Sequence, residues 1–263
     1  MDDVRIRRAV AVNWWNLALG HDVRQVDHAT LVTNAALPII YDANFVFDVS
    51  ASKPAEIDRL LAHVGQAFSH AAHLTFRVDP FTPPSFEARL VMEGYSRSDS
   101  LVLLLEGDVG GEAGACELTV ANTDAAWDDY ARLKGLDWRE SASKIGQDPD
   151  NLVIAEGLTT SNRAKSPPVE YVLAYQDGRA VGFCSAWTGL EGMGQVEDLF
   201  VTPAYRHRGI ATALLTRCVA MLRARGIGSV VLVADPTGTT REMYAKLGWT
   251  PLAVCRQYGK PAL

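Results

Sequence analysis

The sequence predicts an α/β fold in which helices flank a mixed sheet. Apolar segments of strand length alternate with segments of helical spacing along the 263 residues. Residues 196–201 predict a buried strand, which a glycine-containing turn joins to a helix with Ile210, Leu214, Cys218 and Leu222 on one side. A similar pattern occurs in the first part of the chain and indicates an internal repeat.

The first part of the chain alternates between helix and strand patterns that break at glycine and proline. Ser52 and Pro54 are typical of a helix start, and Gly20 and Gly94 are typical of helix ends. The predicted helices cover residues 8–19, 54–68 and a short segment ending at 94, and the predicted strands cover residues 31–33, 39–41, 44–49, 74–78 and 101–105.

The second part follows a glycine-rich linker at residues 107–114. Asp177 and Gly178 predict a tight turn between two strands, and either Thr239 or Thr240 is suited to cap the last helix. The polar stretch 141–168 predicts loops. The predicted strands cover residues 116–120, 171–175, 180–187, 196–201, 230–233 and 249–258, and helices are predicted to start near residues 123, 210 and 240.

The turn at residues 206–209 is a candidate anion site. A helix entered through a glycine turn directs unpaired N–H groups at the space in front of it, and these groups and the helix dipole favour an anion. Arg206 and Arg208 add charge and planar donors suited to phosphate. The turn therefore predicts a phosphate-bearing ligand, and the simpler alternative is an ordinary strand–loop–helix with surface arginines.

The same residues allow a comparison with a known family. Arg206, Gly209 and Ala211 match the R/Q-x-x-G-x-G/A signature of the GNAT superfamily of acyl-CoA-dependent N-acyltransferases. The Leu-x-Val-x-Pro segment 199–203 and the Tyr-Ala-Lys-Leu-Gly-Trp segment 244–249 resemble the family too. The resemblance covers roughly residues 114–263 well and the first part only in outline.

The resemblance implies an acetyl-CoA-dependent N-acetyltransferase, and no metal is expected. No nucleophile motif occurs, so the amine is expected to attack the thioester directly, with Cys184 as a formal rival nucleophile. The resemblance implies that Tyr244 donates a proton to the leaving thiolate, although a core tyrosine is the alternative. Glu197 is the candidate base, with Asp198 or a water chain as alternatives; strand alternation places Glu197 on the face of Leu199 and Val201 and Asp198 on the other. The implied cofactor-binding residues are Leu199, Phe200, Val201, Arg206, His207, Arg208, Gly209, Ile210, Ala211 and Thr212.

The repeat predicts two GNAT-like domains in tandem, each with a central mixed, mostly antiparallel sheet flanked by helices. Residues 1–113 form a degenerate copy without a cofactor loop, and residues 114–263 form the acetyltransferase domain. A shift of 154 positions brings Ser52, Ala55 and Leu90 opposite Arg206, Gly209 and Tyr244. The first copy is therefore expected to have a structural role, at an interface or in one wall of the acceptor site. Chance recurrence of the β–α–β pattern is the alternative.

Composition limits the remaining choices. The net charge of −6 argues against nucleic acid and anionic membrane as partners, and no apolar run approaches the roughly 20 residues of a membrane helix. The N-terminus shows no signal segment, and four widely spaced cysteines favour a reducing cytoplasm. His63, His70 and His73 form only a faint metal pattern, and surface or helix-end positions are preferred.

Three functions remain open at this stage. The leading one is acetyl transfer to a small-molecule amine, or to a peptide or protein amine, by a monomer or homodimer. The second is a non-catalytic acyl-CoA-binding or sensing module. The third is a partner-binding protein that no longer uses acetyl-CoA, against which the retained Arg206, Gly209 and Ala211 argue.

Overall fold

Eleven strands and seven α-helices make up the described part of the chain, residues 2–144, 147–238 and 240–262 of the computed structural model. The strands are β1 (Asp22–Val26), β2 (Ala29–Thr33), β3 (Phe45–Phe47), β4 (His73–Val78), β5 (Ser96–Leu105), β6 (Glu117–Val120), β7 (Val169–Gln176), β8 (Arg179–Leu190), β9 (Met193–Val201), β10 (Ser229–Ala234) and β11 (Thr250–Pro261). The helices are α1 (Asp2–Ala18), α2 (Pro54–Ala67), α3 (Pro84–Met92), α4 (Asp124–Lys144), α5 (Val153–Ala164), α6 (Ile210–Arg223) and α7 (Thr240–Lys246). The strands form one sheet in the order β1-β2-β3-β4-β11-β5-β10-β9-β8-β7-β6.

The predicted mixed sheet with flanking helices is confirmed. Most elements lie where their periodicity predicts them, with boundaries shifted by a few residues. Helix α7 begins at Thr240, whereas Thr239, the other candidate cap, lies outside the described residues. No helix in the described ranges is both long and apolar enough to cross a membrane.

Residues 39–41 do not form the predicted strand. The Asn44 side chain accepts a hydrogen bond from the Asn34 N–H at 2.9 Å and donates to the Leu37 carbonyl at 2.7 Å. These bonds hold the segment as a turn, which ends in a 3-10 helix at Tyr41–Ala43. A side chain that bonds to nearby backbone groups offers the chain an alternative to a sheet ladder.

Two elements lack the patterns on which the prediction rests. Strand β1 is an edge strand that is exposed along most of its length, so it has no alternation of apolar and polar residues. Helix α5 lies in the polar stretch for which loops are predicted. The residues that it buries, Ala155, Ser161 and Asn162, are small or polar, so they form no apolar pattern that would predict a helix.

The predicted repeat is visible in the strand pairing. In the first half β2 pairs antiparallel with β3, and β3 pairs parallel with β4. In the second half β8 pairs antiparallel with β9, and β9 pairs parallel with β10. Helices α2 and α6 connect the two parallel pairs, as a parallel connection requires. The two halves therefore share one topology.

The last strand of each half lies within the sheet of the other half. Strand β5, from the first half, pairs with β10, and β11, from the second half, pairs with β4. The two exchanged strands also pair with each other, from Thr250 opposite Leu104 to Gly259 opposite Ser96. Each half thus completes the central hydrogen-bond ladder of the other.

Helices cover both faces of the second half. On one face α1 and α4 bury Trp14 and Tyr130 in a cluster with Phe183. On the other face α6 buries Leu214 and Leu222. Helix α1 belongs to the first half but packs on β8, β9 and β10. The first half therefore forms a wall over the sheet of the second half.

We expect neither residues 1–113 nor residues 114–263 to fold alone, because each piece lacks a strand of its central ladder. The two pieces would be produced separately and together, and unfolding would be followed by circular dichroism. Co-produced pieces should co-purify and show one cooperative thermal transition, whereas the separate pieces should aggregate or unfold without one. A separate piece with the same transition temperature as the pair would contradict the expectation.

Candidate active site

A β-bulge in β9 determines where two carboxylates lie. Asp198 has a left-handed backbone with φ of 61°. Phe183 pairs with Phe200, but Ser185 pairs with Glu197. Four residues of β9 therefore lie opposite three residues of β8. An extra residue of this kind interrupts the alternation of side chains. The prediction that Glu197 and Asp198 point to opposite faces is therefore wrong.

Both carboxylates face the side of the sheet that α1 and α4 cover. The Gln195 amide donates a hydrogen bond to Glu197 at 3.1 Å. It also donates one to Asn13 of α1 at 2.9 Å. Asp198 accepts hydrogen bonds from Tyr130 of α4 at 2.5 Å. Leu199 and Val201 instead pack with the core under α6. The bulge thus separates Glu197 from the two residues with which strand alternation had grouped it.

Glu197 is held by neutral donors. Its carboxylate accepts the Gln195 amide and, at 3.3 Å, the backbone N–H of Val233 on β10. Burial, and then the charge of Asp198, raise the pKa of Glu197 to about 7. A carboxyl group with a pKa near neutrality is suited to accept a proton during a reaction.

Asp198 has a cationic partner instead. Lys134 of α4 approaches it at 2.5 Å and also bonds Asp137 at 2.9 Å. The amide of Asn162 on α5 donates to Asp198 at 3.2 Å. The hydrogen bonds of Asp198 are therefore directed to structural neighbours on α4 and α5.

The parallel strands β9 and β10 separate beyond their first residues. Their pairing runs only from Met193 opposite Ser229 to Gln195 opposite Val231. Beyond this point a cavity of about 760 Å³, the donor cleft, opens between β9, α6, α7 and α4. Its lining includes nine of the ten predicted cofactor-binding residues, namely Leu199, Phe200, Val201, Arg206, His207, Gly209, Ile210, Ala211 and Thr212.

Helix α6 begins at the donor cleft without a side-chain cap. Gly209 at the N-cap has φ of 74°, a left-handed conformation that favours glycine, and no described side chain caps this helix end. The first N–H groups of α6 therefore remain available at the cleft, where the helix dipole favours an anion.

The linker between the two halves packs against this turn. The Gly114 N–H donates to the Gly209 carbonyl at 3.0 Å. A Cβ added at Gly114 would lie 1.8 Å from the Arg208 carbonyl oxygen, and one at Gly209 would lie 2.4 Å from the Gly114 nitrogen. Both glycines are thus required by contact between the linker and the turn, in addition to any contact with a ligand.

The two arginines of the turn differ in their surroundings. Arg206 forms an ion pair with Glu140 of α4 at 2.5 Å and donates through Nε to the Val201 carbonyl at 2.9 Å. Arg208 lies over the ring of Tyr205, 5.2 Å from its centroid, and is the one predicted cofactor residue outside the cleft lining. Much of the charge of Arg206 is therefore compensated within the protein.

A small chamber joins Tyr244 to Glu197. The Tyr244 chamber is lined by Tyr244, Glu197, Leu199 and Cys184, among others. Burial raises the pKa of Tyr244 above its usual value, and Glu197 adds to the effect, so the hydroxyl stays protonated near neutral pH. A hydrogen bond with Cys218, together with burial, raises the pKa of the Cys184 thiol as well. Cys184 is thus poorly suited to act as a nucleophile.

A second cavity lies between the halves on the far side of Glu197. This central cavity has a volume of about 190 Å³ and is formed by α1, α4, α5, β4, β9 and β11. Glu197 lines both the central cavity and the Tyr244 chamber, and Leu199 lines both the chamber and the donor cleft. Every predicted site residue except Arg208 therefore lines one of three neighbouring cavities that share lining residues.

In the first half the corresponding helix start carries its own anion. The Glu56 carboxylate accepts the backbone N–H groups of Ser52 and Lys53 at 3.2 and 3.1 Å and the Lys53 ammonium at 2.9 Å. A carboxylate of the chain thus occupies the start of α2, while the start of α6 is left open.

Several residues of the site carry no local sequence signal. Lys134 and Asn162 contact Asp198, Glu140 holds Arg206, and Lys165 lines the central cavity. The packing of α4 and α5 brings them there, so no spacing along the chain identifies them. Among the described residues, no group of three or more His, Cys, Asp or Glu side chains is arranged to hold a metal ion.

The second half has relatives of known family. Residues 127–249 match the sequence model of the family described as "Acetyltransferase (GNAT) family". Mycothiol acetyltransferase of Beutenbergia cavernae is 36% identical over 92 residues, which are 34% of this chain and 31% of that protein. The match thus spans about a third of the length of this curated relative.

Solved structures resemble the whole chain. A GCN5-related N-acetyltransferase from Kribbella flavida has a TM-score of 0.68 at 17% identity, over 97% of this chain and 95% of that chain. A tandem GNAT protein from the clavulanic acid biosynthesis pathway has a TM-score of 0.57 at 17% identity, over 89% and 78%. At these identities the likeness shows the fold, which is two GNAT-like domains in tandem.

The linker contact leads to a prediction on stability. We expect Gly114→Ala to lower the free energy of unfolding by more than about 2 kcal/mol, because the new Cβ collides with backbone that a rotamer change cannot move. Gly107→Ala is the matched control, since nothing lies within 4 Å of its Cβ position, and it should change stability by less than about 0.5 kcal/mol. Urea unfolding measures both, and equal effects would contradict the packing argument.

The pKa of Glu197 leads to a prediction on pH. Glu197 loses its proton near pH 4.5 in the unfolded chain and near 7 in the folded chain. Between these values the folded state binds the additional proton, so the free energy of unfolding falls as pH rises through this window. We expect Glu197→Gln to remove this loss, which is at most about 3 kcal/mol at 1.36 kcal/mol per pKa unit.

Urea unfolding of Glu197→Gln and of the parent between pH 4.5 and 8 checks this sign. Glu156→Gln, which removes an exposed carboxyl group on α5, is the control. The variant should gain stability relative to the parent as the pH rises. A constant difference across the window would show that Glu197 does not titrate there.

Proposed function

We propose that this chain, whose residues 127–249 match the sequence model of the GNAT acetyltransferase family, is an acyltransferase that transfers the acetyl group of acetyl-CoA to a primary amine. The observation that carries the proposal is the shared lining of the three cavities: Leu199 joins the donor cleft to the Tyr244 chamber, and Glu197 joins that chamber to the central cavity. An acyl donor and an amine could thus meet between the proposed acid and the proposed base.

The residues of the donor cleft suit a CoA-type ligand. The backbone N–H groups of Ile210 and the residues that follow it are uncapped and lie at the cleft. They therefore fit a pyrophosphate group. Beyond Gln195, β9 has no pairing with β10, so the backbone at Leu199 offers groups for an extended arm, whereas the Val201 carbonyl already accepts a hydrogen bond from Arg206. Because Glu140 compensates Arg206, we propose that the backbone N–H groups contribute more than this arginine does.

Acetyl-CoA would supply the thioester, and the chain would supply the proton transfers. Glu197, with its pKa raised to about 7, is the proposed acceptor of the amine proton. The Tyr244 hydroxyl, which burial keeps protonated, is the proposed donor to the thiolate that leaves. The amine nitrogen bonds to the acetyl carbon as the carbon–sulfur bond breaks. The buried, protonated thiol of Cys184 favours this direct transfer over an acyl-enzyme.

The first half would contribute structure rather than a second donor site. The start of α2 carries the Glu56 carboxylate, which would repel a pyrophosphate. Helix α1 and strand β4 instead line the central cavity through Asn13 and Arg77. We propose that residues 1–113 serve residues 114–263 as one wall of the acceptor site. The four free cysteines agree with a reducing compartment, and we propose the cytoplasm.

Thiol release from acetyl-CoA with a panel of amines tests the proposal. We expect Tyr244→Phe to lower kcat by about 10²- to 10⁴-fold with little change in acetyl-CoA binding, because the phenyl ring keeps the packing but has no proton to donate. Tyr175→Phe is the control, since its hydroxyl contacts Asp129 and lies outside the three cavities.

The outcomes separate the candidate functions. Unchanged kcat in Tyr244→Phe would show that another group protonates the thiolate. Saturable acetyl-CoA binding without thiol release would favour a binding or sensing module. Calorimetry that detects no acetyl-CoA binding would overturn the proposal for this chain.

A further inference from the structure

The charges that line the central cavity are almost all paired. Arg77 pairs with Asp42, and Arg256 contacts Glu87 at 3.2 Å. Lys134 pairs with Asp198, as described above. These pairs account for every charged residue of the cavity lining except Lys165 and Glu197.

Lys165 has no counterion in the described part of the chain. It follows the end of α5 and is 4% exposed, and no described carboxylate lies within 4.0 Å of its ammonium group. Burial lowers the pKa of Lys165, while the more distant charges of Asp42, Asp198 and Glu197 oppose this effect. A buried ammonium without a partner is costly, and an anion bound beside it would offset that cost.

Glu197 is the corresponding unpaired acid. It has hydrogen-bond donors but no cation within 4.0 Å among the described residues. The cavity thus presents one unpaired positive and one unpaired negative group in a space of about 190 Å³. A small ligand with one charge of each sign would pair with both groups.

Resting on the proposed function, we infer that the acceptor is a small amino acid, whose amine faces Glu197 and whose carboxylate binds the Lys165 ammonium. The volume is below the roughly 300–1,000 Å³ of pockets for drug-sized ligands, which suits a molecule of this size. Lys165 is a binding residue here and takes no part in the proton transfers. The carboxylate would restore the charged form of Lys165, because an opposite charge favours ionisation.

The first test compares amines that differ in the carboxylate alone. The probes are the α-amino acids, β-alanine and γ-aminobutyrate, each against its carboxamide and its decarboxylated amine, with acetyl-CoA as donor. Each kcat/KM is divided by the neutral amine fraction, because removal of the carboxylate changes the amine pKa. We expect at least one amino acid to exceed its carboxamide by about 10- to 100-fold, the range of a charge-assisted hydrogen bond. Equal or better turnover of the carboxamides would overturn the inference and leave acetyl transfer standing.

The second test removes the ammonium group. Lys165→Met should reduce the ratio of kcat/KM for the amino acid to kcat/KM for its carboxamide to within about threefold. Arg163→Met is the matched control, since it removes an exposed cation two residues before Lys165, in the last turn of α5, and it should keep the preference for the amino acid. Retention of the preference in a folded Lys165→Met protein would contradict the inference. The comparison of probes on the parent protein remains decisive if this variant does not fold.

Calorimetry with the CoA-bound protein separates binding from chemistry. Binding of an amino acid that is at least tenfold tighter than that of its carboxamide, without thiol release, would support the carboxylate site and overturn acetyl transfer. Failure of every amino acid to bind and to react would overturn the inference.

Discussion

The exchange of β5 and β11 is the constraint on which the rest of the structure depends. Each strand completes the ladder of the other half, and the two pair with each other at the centre of the sheet. The central cavity draws its walls from this region, since Ser100 lies on β5 and Cys255, Arg256 and Gln257 lie on β11. Because backbone hydrogen bonds fix the register of these strands, the distance between the first half and the bulge of β9 is fixed as well. The residues of the first half that line the central cavity are thereby held in place.

The β9 bulge is the second constraint, and its neighbours explain why it persists. A non-glycine residue in the left-handed region costs roughly 1–3 kcal/mol. Tyr130, Lys134 and Asn162 all bond the Asp198 carboxylate and so stabilise this conformation. The result is that Glu197 turns towards the central cavity beside the Asp198 charge, and this neighbour adds to the effect of burial on its pKa.

The parts that the sequence predicts are those encoded by local patterns. The apolar periodicity of α6 and the left-handed Gly209 follow from residues a few positions apart, and the donor cleft follows with them. Helix α5 has no such pattern, because its buried residues are small or polar. The bulge depends on contacts from α4, and Lys165 reaches the cavity through the packing of α5. Such residues are identified by tertiary contacts, which one sequence without its fold does not contain.

The distribution of unsatisfied groups distinguishes a site from a mere interface. At the start of α2 the chain supplies its own carboxylate, whereas the start of α6 is left uncapped. Around the central cavity the buried Nε atoms of Arg77 and Arg256 have no described hydrogen-bond partner. A protein selected only for stability would pair or remove such groups, because each buried polar atom without a partner costs free energy. The Nε atoms of Arg77 and Arg256 beside the central cavity and the uncapped start of α6 at the donor cleft are therefore groups that bound ligands would satisfy.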